Sequence, residues 1–269
     1  MEKNRIPLVI LKLGGSVITF KSELKKPNID VIDRLSKEIS EVINHVKLIL
    51  IHGGGSFGHP YAAEYEIHLG FKDKSQLIGL AQTRIAMEEL NQIIVNKLIE
   101  HGIPAISIQP SACIIAENDE IKSFNIDPLK MSLELGYIPV LYGDAVFDLT
   151  KGFTIISGDK IASYLAIKFN AFKIVFGCDV DGIYTSNPKR SSNAKLIKRL
   201  SISDAKKILS SLSFDESFID VTGGMKNKLV ESIKAVSHGC EVLIVNALKP
   251  NYIKRAILGE SIICTRIVR

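Results

Sequence analysis

Short apolar runs alternate along this chain with longer segments in which apolar residues recur at helical spacing. Ile6 to Leu13 is a first run, rich in Val, Ile and Leu, and it ends at Gly14-Gly15. Pro27-Asn28 breaks the chain, and Val31, Ile32, Leu35, Ile39, Val42, Ile43 and Val46 then mark one face of a helix. Lys47 to Ile51 reads as a second buried strand. It opens into His52-Gly53-Gly54-Gly55-Ser56-Phe57-Gly58-His59-Pro60, with a helix expected to begin near Tyr61. A mostly helical region follows to Glu100, cleanest from Leu77 to Ile99, and His101-Gly102-Ile103-Pro104 closes it. Ala105 to Ile108 reads as a buried strand and Glu117 to Ile121 as a polar hairpin turn. Ile126 to Leu135 is a helix ended by Gly136, and Ile138 to Tyr142 a strand that stops at Gly143-Asp144.

The second half repeats this rhythm. Phe153 to Ile156 leads through Ser157-Gly158-Asp159 into a helix ending at Phe169, and Lys173 to Gly177 is a strand. A loop rich in Asp, Gly, Ser and Pro spans Cys178 to Asn193. Helices are expected at Ser203 to Leu212, Lys226 to His238 and Ile253 to Leu258, with a buried strand at Val242 to Val245. Such alternation predicts an α/β fold with a mostly parallel central sheet covered by helices on both faces. No linker or repeat divides the chain, so two lobes sharing one sheet are expected rather than two separate domains.

Composition narrows the class. The 269 residues suit one large α/β domain, and 46% hydrophobic with 23% charged residues is an ordinary balance for a soluble protein. The net charge of +5 is spread along the chain and suits anionic small substrates better than a nucleic-acid groove. No run approaches the roughly 18 apolar residues that span a bilayer. The charged start does not read as a signal peptide, so a cytoplasmic location without membrane or nucleic-acid partners is expected. The four cysteines form no CxxC pair, and Cys178, Cys240 and Cys264 read as buried thiols.

Four glycine turns carry the candidate chemistry beside the histidine loop. Three glycines after a strand expose successive N–H groups at a helix start, which makes an anion site, and His59 can add a hydrogen bond or a charge. The alternative is a tight turn with a structural histidine. Lys12 followed by Gly14-Gly15-Ser16 puts a cation beside exposed amides, although a solvated lysine before a turn has the same signature. Lys21 is either a second cation or a surface lysine. Asp159, in Ser157-Gly158-Asp159-Lys160, is either a first-turn carboxylate or a holder of nearby lysines. Asp179, Gly182, Tyr184 and Lys189 lie after a strand end, where open α/β sheets bind ligands. Gly223-Gly224-Met225-Lys226-Asn227-Lys228 puts two lysines near a helix start, an unfavourable placement that a bound anion would explain. A GxSxG elbow, a Walker A loop, a GxGxxG after the first strand and an EF-hand spacing are all absent.

Taken in order, Lys12-Leu13-Gly14-Gly15, Gly53-Gly54-Gly55, Gly158-Asp159, the Asp181-Gly182-Ile183-Tyr184 loop and Gly223-Gly224-Met225-Lys226-Asn227-Lys228 resemble the amino acid kinase superfamily over nearly the whole chain. The histidine loop and Ile156-Ser157-Gly158-Asp159 make it most similar to the isopentenyl phosphate kinases. Fosfomycin kinase shares the histidine and is the nearest competitor. The resemblance implies a three-layer α-β-α fold, a homodimer, and phosphoryl transfer from ATP with Mg²⁺ to isopentenyl phosphate. It implies an N lobe to about residue 170 for the acceptor and a C lobe from about 171 to 269 for ATP. His59 would grip the acceptor phosphate, with Gly54, Gly55, Ser157 and Gly158 around it. Lys12, Lys21 and Lys228 would neutralise the transferring group while Asp159 organises the lysines. Gly14, Gly15, Ser16, Asp179, Gly182, Tyr184, Lys189 and Lys226 would serve the nucleotide, and the metal would be held mainly by ATP and water. The isopentenyl tail would need an apolar pocket, drawn from Ile155, Ile156, Leu77, Leu80, Ile85 and Met87. A kinase of another small acid or phosphonate, or a nucleotide sensor without turnover, remains on the same fold.

Overall fold

The computed structural model describes residues 6–186, 188, 193–211 and 223–269. β1 (Leu8–Leu13) leads into the single turn α1 (Gly15–Ile18) and then α2 (Ile29–Ser40), whose N-terminus Asn28 caps by accepting the Val31 N–H at 3.4 Å. β2 (Lys47–His52) is followed by α3 (Gly55–Glu64), a 3-10 turn at Ile67–Leu69, and α4 (Ser75–Glu100). Next come β3 (Ala105–Ser107), the single turn α5 (Pro110–Cys113), and a hairpin of β4 (Ile114–Glu117) and β5 (Glu120–Phe124). α6 (Asp127–Leu135) precedes three strands in quick succession, β6 (Ile138–Tyr142), β7 (Asp144–Asp148) and β8 (Gly152–Ile156). α7 (Gly158–Phe169) and β9 (Lys173–Cys178) follow, then β10 (Arg199–Ser201), α8 (Ile202–Ser211) and α9 (Gly223–Ser237). β11 (Glu241–Asn246), α10 (Tyr252–Leu258) and β12 (Cys264–Val268) complete the order.

Eight strands form the main sheet in the order β10-β12-β11-β9-β1-β2-β6-β3. Every neighbouring pair is parallel except β11 with β12. Side chains alternate between faces along each strand. Val9, Leu11 and Leu13 of β1 therefore join Leu48, Leu50, Val140 and Val175 in one core, against Leu35 and Ile39 of α2, Leu90 and Ile94 of α4 and Ile253 of α10. Ile10 joins Ile49, Ile51, Leu141 and Phe176 in the other, against Leu129 of α6, Ile161 and Leu165 of α7 and Leu229 of α9. Each fully buried aliphatic side chain contributes about 1.5–3 kcal/mol. These two cores make the three layers, helices on sheet on helices. The alternation also decides where the chemistry goes. Lys12 shares the face of Ile10, so it emerges beneath α7 and α9, the two helices that carry Asp159 and Lys228.

Several expectations change. The helix after the glycine loop starts at Gly55, not near Tyr61, so His59 and Pro60 lie inside α3. Pro60 has no N–H for the Ser56 carbonyl four residues back. That carbonyl instead accepts the Lys25 N–H at 3.0 Å, which lets the helix begin early. The helical region to Glu100 is broken at Glu66 (φ 49) and Gly70 (φ 85). The Gln76 side chain holds this break together, accepting from Lys72 N–H and donating to the carbonyls of Tyr65 and Gly70. Among the described residues there are two sheets rather than one. A four-stranded sheet, β5-β4-β7-β8, stands beside the main one. Its strand β7, along with β10 and β12, falls where the sequence pattern predicts no strand. β3 is an edge strand with Ile106 and Ser107 exposed, so Ala105 to Ile108 is not a buried run. Cys178 and Cys240 are buried as expected, while Cys264 is half-buried.

Candidate active site

β1, β2, β9 and β11 run parallel, so the loops at their carboxyl ends gather on one edge of the sheet. The first two loops touch through backbone alone. A Cβ on Gly15 would lie 2.3 Å from Gly55 N, and one on Gly53 would lie 2.8 Å from Gly15 N. Gly55 itself has φ +49. Only glycine permits this approach. Thr19 stitches the loops, its Oγ1 accepting the Ser56 N–H at 3.0 Å and donating to the Gly15 carbonyl at 2.8 Å.

Three charged side chains meet beneath this seam. Asp159 Oδ1 lies 2.8 Å from Lys12 Nζ and 2.9 Å from Lys228 Nζ. Exposure is 8% for Lys12 and 5% for both Asp159 and Lys228. Lys228 Nζ also stands 4.5 Å from the centre of the Phe176 ring. Burial opposes the charged form of Asp159, but the two ammonium groups overcome it and hold its pKa at about 2. Burial likewise opposes the Lys228 ammonium, and Asp159 outweighs it, so the Lys228 pKa is raised. At Lys12 burial, helped by the neighbouring Lys228 charge, outweighs Asp159 and lowers the pKa, so Lys228 is the firmer cation, and an arriving anion favours the charged form of both lysines. Ser157, rather than Asp159, caps α7: its Oγ accepts the Lys160 N–H at 3.1 Å, which leaves Asp159 for the lysines.

The cluster lies at the junction of two cavities. One, of about 490 Å³, is lined by Lys12, Gly14, Gly15, Ser16, Lys21, Gly55, His59, Asp159, Asp179 and Lys228. The other, of about 270 Å³, shares Lys12, Gly15, His59 and Asp159 and continues past Gly54, Ser157 and Gly158 to Ala62, Thr83, Met87, Ala145 and Ile155. The N-termini of α3, α7 and α9 open onto these spaces, and their dipoles add to the attraction for anions. A larger depression of about 750 Å³ beside α10 and β12 has none of the predicted residues on its walls.

His59 is exposed at the cleft shared by both cavities. The surrounding walls desolvate it, Lys12 and Lys21 repel its proton, and its pKa falls below the ordinary imidazole value. It is therefore a neutral hydrogen-bonding ring at pH 7 until an anion arrives.

The structure does not bring every predicted residue here. Gly182 and Tyr184 line neither cavity. Gly182 (φ +154) packs its backbone against Thr265, where a Cβ would lie 2.3 Å from Oγ1. Tyr184 Oη donates to Asp181 at 3.3 Å. Lys226 is exposed and outside the lining, in contrast to Lys228. Lys189 lies outside the described residues. Of the expected tail residues, Met87 and Ile155 line the second cavity. Leu80 and Ile156 are core, and Leu77 and Ile85 are exposed. Sequence reasoning missed Thr83 and Asp144 on this wall. Asp144 is buried, accepts the Ser111 N–H at 3.0 Å, and has its pKa raised by that burial. An Asp directly after a glycine at a strand end was the available signal.

The Asp159 cluster makes stability depend on pH. Its folded pKa of about 2 lies below the unfolded 3.8, so its contribution is present above pH 4 and is lost as pH falls through about 2. That contribution is on the order of 2 kcal/mol. Urea midpoints measured from pH 5 to pH 2 should show this loss in the wild type and a smaller one in Asp159→Asn. The variant should also be less stable at pH 7, by about 3 kcal/mol, because two buried ammonium groups lose their partner. Equal acid profiles in the two proteins would refute the assignment.

Comparison with known proteins places the chain in a family. The family model described as the amino acid kinase family matches residues 7–246. The isopentenyl phosphate kinase of Methanothermobacter thermautotrophicus is 38% identical over 268 residues, covering 97% of this chain and 98% of that protein. That of Methanocaldococcus jannaschii is 38% identical over 265 residues, covering 94% and 96%. A solved structure of isopentenyl phosphate kinase superposes with a TM-score of 0.84 at 35% identity, covering 97% of this chain and 100% of that one. The chain belongs to the amino acid kinase family, and within it to the isopentenyl phosphate kinases.

Proposed function

We propose that this protein transfers the γ-phosphoryl group of ATP to the phosphate of isopentenyl phosphate, forming isopentenyl diphosphate and ADP, a step of an archaeal-type mevalonate pathway. The observation that carries the reading is the buried two-lysine, one-carboxylate cluster between a cavity walled by Lys21, Ser16 and Asp179 and one that runs back to Ala62, Met87, Ala145 and Ile155. The far end of the second cavity, at Ala62, Met87, Ala145 and Ile155, suits a short hydrocarbon tail with its phosphate at His59 and the α3 and α7 N-termini. The first cavity suits the triphosphate, with Lys21, Asp179 and the Gly14-Gly15-Ser16 turn on its wall. In this arrangement the residues up to about 170 supply most of the acceptor site and much of the wall of the triphosphate cavity, to which the later ones add Asp179, Gly224 and Lys228.

An oxygen of the acceptor phosphate attacks the γ-phosphorus, the bond to the β-bridging oxygen breaks, and ADP leaves. The acceptor is already an anion, so no general base is required. Lys12 and Lys228 face the junction where charge redistributes, Lys21 adds to them from the loop, and Asp159 keeps the first two in place. Among the described residues no group of three or more His, Cys, Asp or Glu forms a metal cage. An Mg²⁺ ion arriving on ATP would be held mainly by the phosphates and water. None of the described helices is long and apolar enough to cross a membrane. A cytoplasmic homodimer completes the proposal. Exposed Ile78 and Ile85 on α4, with Phe147 on β7, offer apolar surface to a second copy.

Incubation with ATP and isopentenyl phosphate, followed by ³¹P NMR, tests the reaction. Two coupled doublets of an alkyl diphosphate are expected beside ADP. Inorganic phosphate and ADP without those doublets would contradict it. Met87 offers a further test, since its Sδ would stand 3.0 Å from a Cβ on Gly54 and 2.5 Å from one on Gly58. Met87→Ala is expected to enlarge the tail cavity and raise kcat/KM for longer prenyl phosphates by about tenfold relative to isopentenyl phosphate. An unchanged ratio would place the tail elsewhere.

A further inference from the structure

We propose that His52 and Asn91 form a positioning pair that sets the glycine loop for the acceptor phosphate, an inference that rests on reading this loop as the acceptor site. His52 is the last residue of β2 and is fully buried. Both of its ring nitrogens are occupied. Asn91 Nδ2 lies 3.1 Å from Nε2, and Nδ1 lies 3.2 Å from the Gly53 carbonyl oxygen. The Asn91 amide also donates to the Val140 carbonyl at 3.5 Å, which fixes its NH₂ side toward both acceptors. Nε2 therefore accepts, and the ring proton sits on Nδ1, donating to Gly53. The Tyr142 ring packs against the imidazole at 5.3 Å.

The backbone of the same residue extends the link. The His52 carbonyl accepts the Gly143 N–H at 3.0 Å and lies 3.1 Å from where a Cβ on Gly158 would be. One side chain and one carbonyl thus bear on Gly53, Gly143 and Gly158, three glycines that line the acceptor cavity. Asn91 is 1% exposed and lies one helical turn after Met87, the residue that walls the tail cavity. The pair therefore ties the tail wall on α4 to the phosphate loop on β2. Burial, with the nearby Lys12 charge, holds the His52 pKa at about 4, so the ring stays neutral at working pH and its hydrogen bonds set the tautomer. Lys12 of β1 is the charged group acting on the ring; Tyr142 of β6 and Asn91 of α4 meet it uncharged.

Two substitutions test the pair, read by titrating inorganic phosphate against the His59 ring resonances. Asn91→Leu keeps the branched shape and removes the donor to Nε2, so the ring is held from the Gly53 side alone and loses its tie to α4. Phosphate affinity is expected to weaken about tenfold, with KM for isopentenyl phosphate rising in step and ATP affinity within twofold of wild type. Asn91→Asp replaces the donor by an acceptor and favours a doubly protonated His52. The variant should bind phosphate like wild type at low pH, where Nδ1–H persists. It should fall behind as pH rises, where the single proton moves to Nε2 and the ring lone pair faces the Gly53 carbonyl. The departure should track the His52 resonances. Phosphate affinity within twofold of wild type in both variants, or equal weakening toward phosphate and ATP, would overturn the positioning role. Lack of turnover of isopentenyl phosphate by the wild type would overturn the acceptor assignment alone, because the phosphate titration still reads the pair.

Discussion

Lys228→Ala is expected to lower kcat by about a thousandfold while changing the acceptor KM little. Its ammonium is buried, faces the junction of the two cavities, and shares Asp159 Oδ1 with Lys12. Charge moves through this junction during transfer, so a fixed cation there stabilises the transition state more than either ground state. The two-to-one ratio of cations to carboxylate predicts that the fold tolerates the loss. Removing one lysine leaves a Lys–Asp pair, whereas removing Asp159 leaves two buried lysines without a carboxylate. Lys12→Ala should behave in the same way, with near-normal thermal stability and a large loss in kcat. Steady-state kinetics with both substrates varied, beside a melting curve, checks this. A variant altered only in acceptor KM would move that lysine from the transferring group to the acceptor.

His59→Ala is expected to lose about 2–4 kcal/mol of transition-state stabilisation, with nucleotide affinity near normal. The imidazole faces both cavities, and the cleft walls, then Lys12 and Lys21, keep it neutral before an anion binds. A bound phosphate reverses that balance, because its charge favours the imidazolium and strengthens the hydrogen bond. His59→Asn retains one donor and should keep more activity than the alanine variant. Measured kcat/KM values for the three proteins, with ATP affinity by calorimetry, decide it. Full activity in His59→Ala would return the ring to a structural role.

Much of this site was legible in the sequence because its residues sit on local signals. Lys12, Asp159 and Lys228 each adjoin a glycine turn at a strand end or helix start, and the alternation of β1 places Lys12 on the side of α7 and α9. The second sheet was less legible. Asp144 to Asp148 is a five-residue strand directly after Gly143, and it reads as the end of the preceding strand and a loop. The early start of α3 was hidden by Pro60, which usually marks a helix boundary. Its unpaired acceptor is satisfied by Lys25, a partner 31 residues away that no local pattern reveals. Asn91 is the instructive omission. It is a polar residue on the buried stripe of α4, between Leu90 and Ile94, and such a position asks for a partner. That the partner is His52 follows only from the packing of α4 on β2 and β6.

The acceptor itself is the most direct test of the account. Values of kcat/KM should be measured for isopentenyl phosphate, fosfomycin, glutamate, acetylglutamate, aspartate and carbamate under one set of conditions. The apolar wall of Ala62, Met87, Ala145 and Ile155 offers burial worth about 0.8 kcal/mol per CH₂, or roughly 3–4 kcal/mol for the tail. Isopentenyl phosphate should therefore be the preferred acceptor by at least about a hundredfold. A preference for fosfomycin or for any of the amino acids would contradict the proposed acceptor, whatever the fold.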